Sequence, residues 1–241
     1  MTRMRALFPF ALLSVVLSGY GCGGDPPQPK APVAENDSDH EHRDPPPLDV
    51  SAEIGALDAD KVTKVFASSM RDLQGCLRAG AKRVEFIGGG VAFFIKVDQN
   101  GRASHAHLER TSLGDRETER CMLDVLRGKD WPAPVGGKTG LARNSFDFDP
   151  PNDVRPAEQW SSDKVEETIS SVGSQIAKCK QGASGSYEVT MYVTTQGSPL
   201  SVGIAPPNER GEAASDCLVQ VLKSASYPKP GSWPAKVSFS L

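Results

Sequence analysis

Residues 121–134 read Cys121-Met122-Leu123-Asp124-Val125-Leu126-Arg127-Gly128-Lys129-Asp130-Trp131-Pro132-Ala133-Pro134. Residues 217–230 read Cys217-Leu218-Val219-Gln220-Val221-Leu222-Lys223-Ser224-Ala225-Ser226-Tyr227-Pro228-Lys229-Pro230. The stretches stand 96 residues apart and place a cysteine, a Val-Leu pair and an aromatic-Pro-x-Pro step at matching positions. Working outward, the same offset relates Val97 to Val193 and Gly101 to Gly197. Asp60-Lys61-Val62 and Asp163-Lys164-Val165 each stand sixteen residues ahead of a cysteine, Cys76 and Cys179. A fixed period over so many landmarks is an internal duplication, so the 241 residues hold two small units rather than one large domain.

Each unit is expected to open with a helix. Val62, Val65, Phe66, Ser69, Leu73, Cys76 and Leu77 fall at helical spacing, as do Val165, Thr168, Ile169, Val172, Ile176 and Cys179. Asp58 or Asp60 supplies the first N-cap, and Asp163 with Glu166 fits a capping box. Strict alternation follows in Val91, Phe93, Ile95, Val97 and in Tyr187, Val189, Met191, Val193. Asn100-Gly101 and Gln196-Gly197 then turn the chain. Two-residue loops would set Val97 opposite Ser104, Ile95 opposite Ala106 and Phe93 opposite Leu108. The second copy would pair Val193 with Leu200, Met191 with Val202 and Val189 with Ile204.

A second helix at Asp115–Arg127, with its counterpart around Ala214–Leu222, stops at the proline step, because proline lacks a backbone donor. Residues 143–148 and 235–241 are the last strands. The expected fold is α+β: two tandem α-β-β-α-β modules, each a three-stranded antiparallel sheet with two helices on one face, over residues 58–150 and 151–241.

Residues 1–21 read as a signal peptide, with Arg3 and Arg5, an apolar run from Ala6 to Leu17 and a small-residue cleavage site before Cys22. The segment resembles a lipobox, which makes Cys22 a lipidation site; ordinary secretory cleavage would leave it as a free thiol. A lipid would hold the protein on a membrane without spanning it, as a periplasm-facing or surface lipoprotein, most simply of an outer membrane. Residues 22–57 carry eight acids, two bases and Pro45-Pro46-Pro47, and read as a disordered tether. His40 and His42 lie there among Asp37, Asp39 and Glu41, with nothing to fix a coordination geometry. With 27 basic against 30 acidic residues and no basic stripe, nucleic acid is not a partner the composition supports.

Cys76, Cys121, Cys179 and Cys217 in an exported protein admit three connectivities. The duplication selects Cys76 with Cys121 and Cys179 with Cys217, one cysteine on the inner face of each helix. No Cys-x-x-Cys pair accompanies them, so they read as structural staples.

Taken in order, Cys76, Val91, Gly101, Cys121, Trp131, Pro132 and Phe146, with Cys179, Tyr187, Gly197, Cys217, Tyr227, Pro228 and Phe239, resemble the TonB C-terminal-like fold. More narrowly they resemble the AgmX/PglI-type C-terminal domain of envelope proteins, here present twice. Leu77 and Lys180 stand where that family often has an aromatic. The resemblance implies an envelope interaction module without catalytic residues.

If both helices cover one sheet face, the other carries Phe94, Lys96, His105 and His107 in the first unit and Tyr192 in the second. These are the candidate partner-binding residues; the alternative is that the two faces pack on each other. His105 and His107 point the same way but lack a third ligand, so neither a metal nor another cofactor is expected. Gly88-Gly89-Gly90 precedes a strand, unlike a phosphate loop, and Glu117 and Glu119 do not face each other on their helix. The expected function is non-catalytic: a lipid-anchored envelope scaffold that binds a protein partner and takes no small-molecule substrate. A periplasmic enzyme or redox accessory is the alternative.

Overall fold

A computed structural model describes residues 52–241; the signal segment, Cys22, His40, His42 and the tether up to Ser51 lie outside the described residues. The first repeat runs β1 (Ala52–Ile54), α1 (Ala59–Gly80), β2 (Gly89–Asp98), β3 (Ala103–Thr111), α2 (Arg116–Arg127) and β4 (Gly137–Phe148). The second runs β5 (Glu158–Trp160), α3 (Asp163–Ser171), α4 (Gly173–Lys180), β6 (Glu188–Val193), β7 (Pro199–Ala205), α5 (Glu212–Ser224) and β8 (Ala235–Ser240). The class is α+β, with one sheet per repeat. Each sheet has four strands rather than three, in the orders β1-β4-β2-β3 and β5-β8-β6-β7. The extra strand of each is three residues long and adds in parallel to β4 or β8. Three residues cannot display an alternation, and β1 sits in the stretch whose composition reads as tether.

The inner registers follow the alternation: Ile95 faces Ala106, Phe93 faces Leu108, Met191 faces Val202 and Val189 faces Ile204. At the turns the register slips, so that Val97 meets Ala103 and Val193 meets Pro199. Both loops are longer than two residues: in the second, Thr194 Oγ1 accepts the Ser198 N–H at 3.2 Å, and in the first, Asp98 closes its own turn. Its carboxylate accepts the N–H groups of Asn100 and Arg102 at 2.8 and 2.9 Å, and Gly101 takes φ 74°, a left-handed conformation that favours glycine. The carbonyl of Gly101 accepts the Trp131 N–H at 2.8 Å, and Gly197 does the same for Tyr227. Each aromatic tip then reaches a carbonyl five residues back: Trp131 Nε1 donates to Leu126 at 3.1 Å and Tyr227 Oη to Leu222 at 3.1 Å. The repeated aromatic therefore ties the end of a helix to the tip of a hairpin.

Asp58 caps α1 by accepting the Lys61 N–H at 3.0 Å, and Asp115 caps α2 through Thr118. The expected Asp163–Glu166 capping box does not form: Ser162 is the N-cap, without a side-chain bond to the helix. The single helix expected there is divided at Val172, between α3 and α4. Gly173 follows Ser170, Ser171 and Val172, a run of weak helix formers.

In the first repeat Phe66, Leu73 and Leu77 meet Phe93, Ile95, Met122 and Leu126 in one buried cluster. Both bridges form, Cys76–Cys121 and Cys179–Cys217, with Cα separations of 5.7 and 5.6 Å. Cys76 and Cys179 are buried, whereas Cys121 and Cys217 are exposed, not on the inner face. Each bridge therefore reaches outward from core to surface. Closing loops of 45 and 38 residues is worth roughly 4 kcal/mol each in the chain-entropy account.

Candidate functional site

The two repeats join where α2 and α5 begin. Arg116 donates to Glu212 at 2.7 Å and to Asp216 at 3.0 Å, and Arg120 lies 3.5 Å from Asp216. Arg116 and Glu212 are counterparts in the duplication, and so are Arg120 and Asp216. Contacts between counterparts are the mark of a two-fold relation. Each repeat accordingly lays the loop leading into its second helix against the outer sheet face of the other. Ser201 on the second face donates to the Gly114 carbonyl at 2.7 Å. Its counterpart His105, on the first face, lies 3.8 Å from Glu209, the residue just before Gly114's counterpart Arg210.

The two halves of this arrangement differ in closure. On the second sheet, Tyr192 is 1% exposed and belongs to the core of the first repeat. Phe86, from the loop after α1, covers it with ring centroids 5.2 Å apart. A side chain at Gly114 would run into the Tyr192 ring, and one at Gly203 would meet Glu119 and the Gly114 backbone, so both glycines permit the close approach. Lys236 lies over the Tyr192 ring at 5.3 Å and donates to the Gly88 carbonyl at 2.8 Å. Burial depresses its ammonium to about 8. Glu119, fully buried, accepts the Ile204 N–H at 3.0 Å and the Thr111 hydroxyl at 2.9 Å. Burial raises its carboxyl to about 7, against the pull of these bonds and of Arg116. Tyr192, one of the expected partner-binding residues, is thus enclosed between the repeats, which is the packing alternative.

On the first sheet Phe94, Lys96, His105 and His107 come together beside a groove of about 590 Å³. Phe94 and His107 line it with Glu109 and Arg143, and Ser186, Glu188 and the segment 205–209 wall it from the second repeat. The Phe94 ring lies 4.7 Å from His107, and the Arg143 guanidinium lies 4.6 Å over it while bonding Glu109 at 2.8 Å. His107 is 5% exposed and shares a hydrogen bond of 3.2 Å with His105. Lys96 reaches Glu209 at 3.4 Å. Burial holds both imidazoles below the usual histidine range, and the His105 charge adds to this at His107, so both rings are neutral at pH 7.

The difference is written in four positions. Thr190, Tyr192, Ser201 and Gly203 on the closed face correspond to Phe94, Lys96, His105 and His107 on the open one. Bulk at 94, 105 and 107 holds the second repeat away, and the short counterpart of Glu119, Ser215, leaves room for His107. Phe86, the closing aromatic, lies in the loop between Cys76 and Val91, where the second repeat is seven residues shorter and carries no aromatic between Cys179 and Tyr187. The groove offers an aromatic floor, hydrogen-bonding imidazoles and a guanidinium with spare donors, a set suited to binding. Among the described residues no three His, Cys, Asp or Glu side chains converge as metal ligands, and no helix is long and apolar enough to cross a membrane.

Glu119, Phe86 and Arg143 carry much of this geometry; in the sequence Glu119 reads only as a carboxylate beside Glu117, and neither Phe86 nor Arg143 stands out as a site residue. Glu119 and Arg143 show once the two repeats are aligned, and Phe86 lies in the loop that the second repeat has in shorter form. No protein-family model, curated protein or solved structure matches the chain.

Proposed function

We propose that the protein is a non-catalytic scaffold of the cell envelope, held to a membrane through a lipid on Cys22, which binds a protein partner in the groove over Phe94. The observation that carries this reading is the unequal fate of two related faces. One is consumed by the contact between the repeats, while the other keeps an aromatic floor open beside a fixed wall. A partly buried aromatic with a cation stacked on it and the buried His107 ring beside it has the character of an interface anchor. The disulfides fit an oxidising compartment, and staple modules near the lower size limit for independent folding.

The test is photo-crosslinking in cells from a benzophenone amino acid at position 94, with products identified by mass spectrometry. The expected result is a discrete envelope protein, lost when Arg143 is changed to Glu. Crosslinks confined to the chain itself would remove the binding reading.

A further inference from the structure

We infer that His105 and His107 form a chelating site for a divalent late-transition cation, zinc in the first place, which takes the position of the proton the two rings share. This goes beyond the partner reading and does not depend on it.

His105 and His107 stand two apart on β3, so both project from its outer face, while Ala106 between them is fully buried. Their rings meet. His105 Nε2 lies 3.2 Å from His107 Nδ1, with the ring planes at 48°. Two imidazole nitrogens bound at about 2.0–2.1 Å to one tetrahedral zinc ion stand about 3.3 Å apart. An ion therefore replaces the shared proton with little movement of either ring.

The pair is also held in place. The Phe94 ring packs against His107 with centroids 4.7 Å apart, and His107 is buried. On the other side, His105 turns its Nδ1 toward Glu209, 3.8 Å from Oε1. A ligating imidazole characteristically directs its second N–H to a carboxylate, which fixes the tautomer and strengthens the ring as a ligand. Glu209 is the group placed to receive it. Lys96, the cross-strand partner of His105, is paired with the same carboxylate at 3.4 Å.

The donor set selects the ion. Magnesium and calcium take oxygen ligands, whereas imidazole suits zinc, copper and nickel. Copper(II) binds nitrogen more tightly in general, but its square-planar positions would bring the two nitrogens to about 2.8 Å, so the observed span favours zinc. The four cysteines of the repeats are joined in bridges and do not compete. Two protein ligands leave two positions of a tetrahedral ion to water, so the ion exchanges readily. Ser201 and Gly203 hold the matching positions of the second repeat, so the site belongs to the open face alone.

The chain has four histidines, and the other two, His40 and His42, form a second His-x-His pair. The experiment must separate the pairs. It is a titration of the ¹⁵N-labelled full chain with zinc chloride, followed through the imidazole ¹H–¹⁵N correlations. Saturable shifts are expected at His105 and His107, with none from magnesium chloride at the same concentrations. His107→Gln should weaken zinc binding at least about tenfold, and so should His105→Gln, which alters the more exposed ring and serves if the buried substitution unfolds the protein. Glu209→Gln should cost about tenfold. His40→Ala combined with His42→Ala should leave the response at His105 and His107 unchanged. No saturable response, a response confined to His40 and His42, or undiminished affinity in the His105 or Glu209 variant would overturn the inference. The titration contains no partner protein, so its failure would leave the partner reading where it stands.

Discussion

The outer faces of the two sheets began as the same surface and now serve opposite ends. On the second, small residues at Thr190, Ser201 and Gly203 let the first repeat settle until Tyr192 is sealed under Phe86. On the first, Phe94, His105 and His107 at the matching positions keep the second repeat at a distance, and a groove remains. Three positions per face thus decide whether a surface becomes core or stays available. A duplicated module can therefore use one copy's face to build a rigid pair and free the other's for binding.

The sharpest way to break this comparison is to make one substitution in both halves. Phe86→Ala empties a buried site and should cost about 3–5 kcal/mol. For a body the size of the two repeats together, residues 52–241, that lowers the melting temperature by roughly 10 °C. Phe94→Ala, on the open face, should cost about 1 kcal/mol or less, since no covering segment loses its partner. Equal losses in calorimetry would mean that the two faces are equally engaged.

Next in size are the bridges. Removing either cysteine pair by double serine substitution should cost about 2–4 kcal/mol. The two costs should agree to within a few tenths, because loops of 45 and 38 residues differ little in closure entropy. A large inequality in denaturant melts would place a further divergence in the cores.

The titrations of the two halves run in opposite directions. Glu119 on the closed side has a folded value raised to about 7. Its protonated form is favoured by folding, so its contribution is full below the ordinary value of 4.5 and is lost as pH rises to about 7. Glu119→Gln should remove that loss and gain on the parent by about 3 kcal/mol across the window. His105 and His107 on the open side have folded values depressed by burial. Their contribution is full above 6.5 and is lost as pH falls from there through the folded values. Changing both to Gln should flatten the acid limb of the stability profile, the smallest of these effects, while leaving the neutral limb in place. Stability curves from pH 4 to 8 for the three proteins would separate the two contributions.

Much of this fold was legible because its periodicities are long and doubled. The apolar stripes of α1, α2 and α5, the alternation of β2 and β6 and the inner registers through Ile95 and Met191 each appear twice. The duplication also paired the cysteines. What escaped was short or depended on the partner repeat. β1 and β5 are three residues each, below the length at which a pattern exists. The turn at Gly101 is lengthened by the Asp98 side chain, a local bond that alternation does not report. Phe94, Lys96, His105 and His107 were recognisable as one outward face. For Tyr192 the sequence left binding and packing both open, because its burial comes from Phe86 and Gly114, more than 75 residues away in the chain. Glu119 reads as a surface acid on an amphipathic helix until Gly203 of the other repeat comes over it.

The central claim is that one face is closed and its twin is open. It is tested most directly by ¹⁹F NMR with 4-fluorophenylalanine at position 94 and 3-fluorotyrosine at position 192, adding a soluble gadolinium chelate. The account predicts strong paramagnetic relaxation at position 94 and little at 192. Comparable relaxation at both sites would show that the second face is also open and would contradict it.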